Sequence, residues 1–316
     1  MDKPWLILII ILSVILLILL NIYILLSIMY KRTFYSNPKK DKHSLGYLEM
    51  EQMKPYKSVL VDLLNKANAI PYEKVTVKSF DGLNLSARLY VKDPKAPFDI
   101  LVHGYKSYGI KDFSGGINLS LENNHNVLLI DHRGHGYSEG KTISFGILER
   151  FDILSWINFL NERFGKDIPI ILMGISMGGA TVLMASELDL PSNVKLVIAD
   201  CPFSSAMDII RKVAKDNKYP LKIVDLFMPI AAKLFGKFNL FASSALTAVK
   251  KAKIPILLIH GDEDDFVPYE MSVKISKANP DIEFHTFKCN IHGLSYIFAP
   301  DEYKKIVKEF YEKHID

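Results

Sequence analysis

One serine of the chain has the surroundings of a catalytic nucleophile. Ser176 is the middle residue of the pattern G-I-S-M-G at residues 174–178, which follows four apolar residues and precedes a predicted helix. Glycines at these positions leave space for a tight turn that exposes the serine, and the positive end of the helix stabilises developing negative charge. A serine that only caps a helix can have the same local pattern. The chemistry therefore depends on partners elsewhere in the chain.

The first partner is a general base, because a serine hydroxyl is a poor nucleophile without one. On a strand–turn–helix nucleophile the residues follow in the order serine, acid, histidine. Four histidines follow Ser176 in the chain. Of these, His260 ends a predicted strand, His285 lies inside one and His314 lies near the end of the sequence. His292 lies in a loop after the last predicted strand, with a glycine beside it, and we predict that it is the base.

The second partner is a carboxylate that orients the histidine. The segment IHGDEDDFVPYE follows a predicted strand and offers four candidates, Asp262, Glu263, Asp264 and Asp265. Residue chemistry and spacing do not choose among the four. A solvated turn or a divalent-ion loop is an alternative interpretation, although the spacing does not match an EF-hand.

Two backbone N–H groups must stabilise the oxyanion that forms during acyl transfer. The residue after the nucleophile, Met177, is expected to supply one of them. The loop after the predicted strand ILVHG is expected to supply the other, from Tyr105. His103 is then a structural residue that braces this loop.

Alternating strands and helices must position these groups. A hairpin at residues 73–91, with a two-residue Asp81-Gly82 turn, comes first. Short apolar strands separated by helices follow, which predicts a mostly parallel sheet of about eight strands with helices on both faces. The carboxyl ends of such strands meet at one edge, where chemistry collects. The strands predicted after the hairpin are DILVHGY, NVLLIDHRGHG, IPIILMG, VKLVIAD, IPILLIHG and IEFHTFK.

One interval interrupts this alternation. From about 203 to 240 the chain contains two amphipathic helical segments in place of a short connection. Long insertions between sheet elements often act as lids or binding elements. We call residues 203–240 the cap and predict that it covers the site; packing over a sheet edge is the alternative.

The chain also carries an apolar segment before the sheet. Residues 4–30 comprise 27 residues without a charge, and a helix of this length reaches roughly 40 Å, beyond the ~30 Å hydrocarbon core of a bilayer. A cleaved signal peptide has a shorter apolar region followed by a small-residue cleavage site, and the sequence after this segment offers no such site. We predict a single-pass transmembrane anchor at residues 1–31 in the cell membrane.

The charges that flank the anchor bear on its orientation. The positive-inside rule favours a cytoplasmic catalytic domain, because the second flank has the larger positive charge, with Lys31, Arg32, Lys39, Lys40 and Lys42 against Asp41.

Composition excludes several other classes of protein. A chain of 316 residues is long enough for one large α/β domain, and its net charge of +4 is mild. No cluster of basic and aromatic residues favours nucleic-acid binding. The two cysteines, Cys201 and Cys289, fit no metal or disulfide framework. The chemistry outlined above needs neither a metal nor an organic cofactor.

Five motifs, in order along residues 72–315, resemble those of the α/β-hydrolase superfamily. Among its members, the serine aminopeptidase/monoglyceride lipase-like branch, which includes membrane-anchored bacterial hydrolases, is the most similar. The motifs are HGY at 103–105, DHRGHGYSEG at 131–140, GISMGG at 174–179, HGDEDDFVP at 260–268 and IHG at 291–293.

The resemblance implies a role for each matching residue. The family pattern H-G-x-x-D-x-x-V-P implies Asp264 as the acid, and the family likewise implies Ser176 as the nucleophile and His292 as the base. The motif at 131–136 is structural in the family, so His132 and His135 are poor catalytic candidates.

The implied architecture is a catalytic domain at residues 72–316 with the α/β-hydrolase fold, after a basic connector and helical lead-in at 32–71. The implied activity is that of a serine hydrolase that cleaves lipid-like or medium-chain carboxylic esters through an acyl-enzyme. A serine aminopeptidase or amidase would use the same triad on a peptide substrate. A non-catalytic binding protein on the same fold would be expected to have a broken triad.

Overall fold

An eight-stranded sheet forms the centre of the protein in a computed structural model that describes residues 3–37 and 51–315. The strand order is β1-β2-β4-β3-β5-β6-β7-β8, with β2 antiparallel to both of its neighbours and the other pairs parallel. The mostly parallel sheet predicted from the sequence is thereby confirmed. The strands are β1 (Glu73–Lys78), β2 (Asn84–Tyr90), β3 (Phe98–Val102), β4 (Asn126–Ile130), β5 (Ile170–Ile175), β6 (Val194–Asp200), β7 (Ile256–Gly261) and β8 (Glu283–Phe287).

Helices connect the strands and cover both faces of the sheet. A 3₁₀ helix, Glu51–Tyr56, precedes the second α-helix. The helices are α1 (Lys3–Thr33), α2 (Lys57–Ala69), α3 (Gly109–Asp112), α4 (Ser114–Glu122), α5 (Glu149–Phe164), α6 (Met177–Ala185), α7 (Ala206–Asp216), α8 (Leu221–Gly236), α9 (Ala245–Ala248), α10 (Tyr269–Ala278), α11 (Ser295–Phe298) and α12 (Pro300–His314).

The central strands are apolar because both of their faces are covered. Every residue of β3 and β4 is buried, which is the condition of a parallel sheet between two helical layers. Successive side chains of a strand point to opposite faces. Ile100 and Val102 accordingly belong to the core with α5 and α6, whereas Leu101 belongs to the core with α4 and α12.

The hairpin of β1 and β2 forms, but the two-residue turn predicted from Asp81-Gly82 is wrong. Five residues, 79–83, connect the strands, and the Ser79 N–H donates to the Leu83 carbonyl at 2.9 Å. Two side-chain contacts explain the wider loop. The Ser79 hydroxyl donates to Asp81 at 2.6 Å, and Arg133 from beyond β4 holds the same carboxylate in an ion pair at 2.8 Å.

Helix α1 is 31 residues long and, by length and composition, can cross a membrane, although a signal sequence would meet the same test. Its carboxyl end is joined to the sheet domain. Phe34 is fully buried and makes edge-to-face contacts with Phe145 and Phe238. The Phe34 carbonyl accepts the Ile143 N–H at 2.7 Å. The basic positions Lys39, Lys40 and Lys42, with Asp41, lie outside the described residues.

The cap contains the two predicted helices. Helix α7 begins at an N-cap serine, Ser205, whose hydroxyl accepts the Asp208 N–H at 3.1 Å. Helix α8 ends at Gly236, and the next residue, the C-cap Lys237, is in the left-handed region, with φ 57°. Both helices lie next to the carboxyl ends of the strands, so the cap is placed beside Ser176.

Candidate active site

Ser176 sits on a strained turn between β5 and α6. Its φ of 56° and ψ of −117° are uncommon for a residue with a side chain. The glycines of the pattern permit this turn, since a Cβ on Gly178 would lie 1.8 Å from the Val102 carbonyl oxygen. The Ser176 N–H donates to the Asp200 carbonyl at 2.8 Å, which fixes the turn to β6.

His292 and Asp264 lie in line with the serine. The Nε2 atom of His292 is 2.8 Å from the Ser176 hydroxyl, and its Nδ1 atom is 2.7 Å from an Asp264 carboxylate oxygen. These three residues come from three separate strand ends, after β5, β7 and β8. The structure thus brings together the serine, the acid and the histidine that the sequence placed far apart.

Burial and hydrogen bonds distinguish Asp264 from the other carboxylates of its cluster. Asp262, Glu263 and Asp265 are exposed, whereas Asp264 is buried. One oxygen of Asp264 accepts the N–H groups of Phe266 and Val267, both at 2.9 Å. The other oxygen faces His292, so the turn orients this carboxylate toward the imidazole.

The electrostatic surroundings keep Asp264 ionised. Burial alone would raise the pKa of this carboxyl, but hydrogen bonds from His260 and His292 outweigh it and hold the pKa well below its usual range. His260 is buried between Ser272 and the Val267 carbonyl, at 2.6 and 2.9 Å. It is a support for the acid and lies outside the serine's reach, as its position at a strand end predicted.

The loop after β3 lies against the serine. A Cβ on Gly104 would be 3.4 Å from the Ser176 Cβ atom. The Gly104 N–H donates to Asp112 at 2.8 Å, and the same carboxylate accepts the Ser107 hydroxyl. The next backbone group in the loop is that of Tyr105, the predicted oxyanion donor. On the other side, Met177 is the first residue of α6, where helical N–H groups have no acceptor within the helix.

Asp112 is a residue that sequence reasoning missed. It lies eight positions after Gly104 on the four-residue helix α3, in a segment without a motif. Because its carboxylate holds both ends of the loop, Asp112 fixes the backbone that carries Tyr105. Nothing in the local sequence distinguishes Asp112 from an acidic residue on the surface of any short helix.

The histidines near this loop are structural. His103 is buried and bridges the Gly104 carbonyl and the His132 N–H, at 2.8 and 3.0 Å. Burial lowers the pKa of His135 to about 3 and lowers the pKa of His103 and His132 well below the usual value. These imidazoles are therefore neutral at physiological pH.

Two buried groups lie behind the imidazole. The Sγ atom of Cys201 is 4.0 Å from His292 Nε2, and Asp200 precedes it at the end of β6. Burial raises the pKa of Asp200 to about 6; one of its oxygens accepts the Tyr303 hydroxyl at 3.1 Å. Cys201, Asp264 and His292 are close enough to hold a metal ion. Burial raises the pKa of the Cys201 thiol well above its usual value.

Ser176 contributes to the lining of two cavities formed by the described residues. The first, of about 270 Å³, is lined mostly by apolar side chains and also by the polar groups of Ser107, Asp112 and Asp200. The second, of about 460 Å³, is lined almost wholly by apolar side chains, and we call it the apolar cavity. Its walls come from the cap, from the loop at Phe145 and from α1. A reacting group on Ser176 therefore has a mixed lining with some polar groups on one side and an almost wholly apolar lining on the other.

Comparison with known proteins agrees with the fold. Residues 100–247 match the family model of the alpha/beta hydrolase fold. The chain is 23% identical to the Pyrococcus furiosus esterase Pf2001 with a TM-score of 0.62, over 80% of this chain and 96% of that one. The chain has the α/β-hydrolase fold, and residues 100–247 are the part that is similar to the family.

Curated relatives match over shorter lengths. The uncharacterized protein YqkD of Bacillus subtilis (strain 168) is 29% identical over 206 residues, 63% of this chain and 66% of that protein. The lysophosphatidylserine lipase ABHD12 of Macaca fascicularis is 26% identical over 210 residues, 60% of this chain and 49% of that protein. The matched region thus spans about half to two thirds of each of these relatives, and the aminopeptidase/monoglyceride lipase-like branch stays a prediction.

Proposed function

We propose that this protein is a serine hydrolase that cleaves carboxylic esters with lipid-like or medium-length acyl chains. The observation that carries the proposal is the continuous hydrogen-bonded series from Ser176 through His292 to Asp264, at 2.8 and 2.7 Å. The superfamily supports the same activity, as do relatives with hydrolase names, among them the thiohydrolase aneE of Aspergillus aculeatus.

The first half-reaction forms the acyl-enzyme. His292 Nε2 accepts the hydroxyl proton of Ser176 as the Oγ atom attacks the ester carbonyl. The carbonyl oxygen becomes an oxyanion that the N–H groups of Tyr105 and Met177 stabilise. As the tetrahedral intermediate collapses, the imidazolium gives its proton to the leaving alcohol, and the acyl group stays on Ser176.

The second half-reaction returns the enzyme to its starting state. Water enters where the alcohol left, His292 accepts one of its protons, and the resulting oxygen attacks the acyl carbon. The carboxylic acid departs as Ser176 regains its proton. Throughout, Asp264 holds the imidazole by its Nδ1–H and stabilises the imidazolium, a task that its depressed pKa suits because it remains ionised.

The apolar cavity favours an ester over a peptide substrate. Apart from Arg32, the residues that line it carry no charged side chain. The apolar cavity itself offers no group that pairs with the α-ammonium of an aminopeptidase substrate, and its arginine would repel that charge. An acyl chain, in contrast, gains free energy from each methylene that enters such a space.

The nucleophile is tested by Ser176→Ala in the full chain. We expect no labelling by a fluorophosphonate and no hydrolysis of p-nitrophenyl butyrate, with circular dichroism unchanged. Ser186→Ala is the matched control, since Ser186 follows the last residue of α6 and its hydroxyl bonds only the Leu183 carbonyl. Labelling that persists in Ser176→Ala would falsify the assignment. Faster turnover of aminoacyl-nitroanilides than of nitrophenyl esters would favour the peptidase.

We also propose that α1 crosses the cell membrane once, with the catalytic domain in the cytoplasm. The helix is exposed along most of its length, and Lys31 and Arg32 at its carboxyl end match the positive-inside rule. Protease added to intact cells is expected to leave the catalytic domain undigested. Digestion of the domain without lysis would place it on the outer side.

A further inference from the structure

The carboxyl end of α1 packs on the cap and on the loop after β3 that carries Tyr105. The ring of Phe235 in α8 lies 5.4 Å from the ring of Tyr23 and 5.5 Å from that of Tyr30. The Tyr105 hydroxyl donates to the Thr33 carbonyl at 2.8 Å. These contacts hold the last three turns of α1 in a fixed place beside the site.

The same turns of α1 form part of the apolar cavity. Leu25, Ile28 and Met29 line it from one side, while Val224 and Met228 of α8 line it from another. Ser176 lies in the lining of the same space. The side chains of α1 are therefore in a position to contact an acyl group attached to the nucleophile.

We propose that the last turns of α1 are a wall of the acyl-binding site, and that the substrate is a membrane-resident ester whose acyl chain enters from the bilayer crossed by α1. This inference rests on the proposed hydrolase function and adds the source of the substrate to it. One helix then serves both as the anchor and as part of the substrate site.

The length of α1 agrees with this double role. A bilayer core is crossed by about 20 helical residues, and α1 has 31. When the first 20 span the hydrocarbon, the residues that line the apolar cavity lie at the membrane surface on the domain side. The mouth of the cavity then faces the level of the lipid headgroups and upper acyl chains.

The outer face of α8 supports the same placement. Leu226, Ile230 and Leu234, spaced by one helical turn, are exposed by 59%, 43% and 53%. An exposed apolar stripe of this kind on a soluble surface marks an interaction site. Because α8 packs directly on α1, the bilayer that surrounds α1 is the occupant that reaches this stripe.

The wall is tested by enlarging one residue of α1 in the full chain, reconstituted in phosphatidylcholine vesicles. Ile28 lines the cavity and Ile24 does not, yet the two isoleucines are one turn apart and similarly exposed, at 45% and 47%. Ile28→Trp is compared with Ile24→Trp. The readout is the ratio of kcat/KM for p-nitrophenyl decanoate to that for p-nitrophenyl acetate, which cancels differences in the amount of active enzyme.

Each methylene that loses its place in an apolar pocket lowers kcat/KM by about fourfold. Displacing two methylenes by the indole of Ile28→Trp is therefore expected to lower the ratio on the order of tenfold. The ratio of Ile24→Trp is expected to stay within about twofold of that of the wild type. Equal ratios in the two variants overturn the proposal.

A second variant covers the case in which Ile28→Trp does not fold. Ile28→Ala widens the cavity and is expected to shift the preference toward longer chains, raising the ratio of tetradecanoate to decanoate turnover. A fall or no change in that ratio overturns the proposal that α1 forms a wall of the acyl-binding site. Failure of the hydrolase proposal itself is separate, because wild-type protein would then hydrolyse neither acetate nor decanoate.

The route of entry is tested with p-nitrophenyl palmitate placed in vesicles. In one arrangement enzyme and ester share a vesicle, and in the other the ester is in separate vesicles of the same composition. We expect hydrolysis to be at least tenfold faster when they share a bilayer. Equal rates in the two arrangements overturn entry from the bilayer.

Discussion

Replacing Gly178 by alanine would place a Cβ atom 1.8 Å from the carbonyl oxygen of Val102 and 2.7 Å from that of His103. Carbon–oxygen contacts ordinarily begin at about 3.3 Å, so α6 must move away from β3 by about 1.5 Å. Both clashing atoms are backbone carbonyl oxygens, one at the end of β3 and one in the residue that follows it, and they cannot rotate away. The movement displaces Ser176, which immediately precedes α6.

The magnitude follows from this displacement. Overpacking of a core costs about 1–3 kcal/mol, while alanine in place of glycine gains about 1 kcal/mol in a helix. We expect a net loss of stability of up to about 2 kcal/mol. A misplacement of about 1 Å lowers the rate about 100-fold, so kcat/KM is expected to fall by at least that factor.

Gly179→Ala is the matched control, one residue along the same helix. Its Cβ would lie 3.0 Å from the nearest atom, the Asp200 carbonyl oxygen, and needs a shift of only about 0.3 Å. It shares the gain in helix propensity, so we expect activity within about threefold of the wild type. Urea unfolding and p-nitrophenyl acetate kinetics measure both variants. Wild-type activity in Gly178→Ala, or equal losses in the two variants, would refute the reasoning.

Two further predictions concern the carboxylates at the site. Asp264→Asn is expected to lower kcat on the order of 10⁴-fold, because the amide does not hold the imidazole in the required tautomer; Asp265→Asn, on an exposed neighbour, is expected to stay near the wild type in the same ester assay. Asp200→Asn is expected to gain stability over the wild type as pH rises. Burial raises the folded-state pKa of Asp200 to about 6, so its favourable contribution is complete below about pH 4 and is lost through pH 6. A pKa shift of this size changes the difference in free energy of unfolding between Asp200→Asn and the wild type by about 3 kcal/mol from pH 4 to pH 8. Urea unfolding at the two pH values measures this change.

Each of these two predictions would be contradicted by a different result. A larger loss in Asp265→Asn than in Asp264→Asn would move the role of the acid to the neighbour. A stability difference between Asp200→Asn and the wild type that is the same at pH 4 and pH 8 would contradict the burial of an ionised Asp200.

The sequence was sufficient for the fold, and it predicted the reactive groups in the order serine, acid, histidine. Buried strands are visible as short apolar segments because both of their faces are covered, and this property belongs to the residues themselves. Ser176 and His292 were identified because each follows a strand, and the ends of parallel strands lie on one edge. The acid was different, since only the family pattern, and no physical argument from the residues, selected Asp264 among four candidates.

Tertiary structure distinguished residues whose local sequences look alike. Asp264 is separated from its neighbours by burial and by two backbone N–H groups, and Asp112 by its bonds to a loop eight residues away. The hairpin turn widened because Arg133, 52 positions along the chain, pairs with Asp81. The contact between Arg133 and Asp81 is not encoded by local spacing, whereas the two N–H groups that Asp264 accepts lie only two and three residues after it.

Helix α1 gives the clearest division between sequence and structure. Its apolar composition alone predicts a helix that can cross a membrane, because every residue of such a segment prefers an apolar surrounding. Composition does not tell an exposed isoleucine outside the cavity, such as Ile24, from one that lines the cavity, such as Ile28. That difference arises only when α8 packs on α1, since lipid and an acyl-binding cavity are equally apolar and select the same side chains.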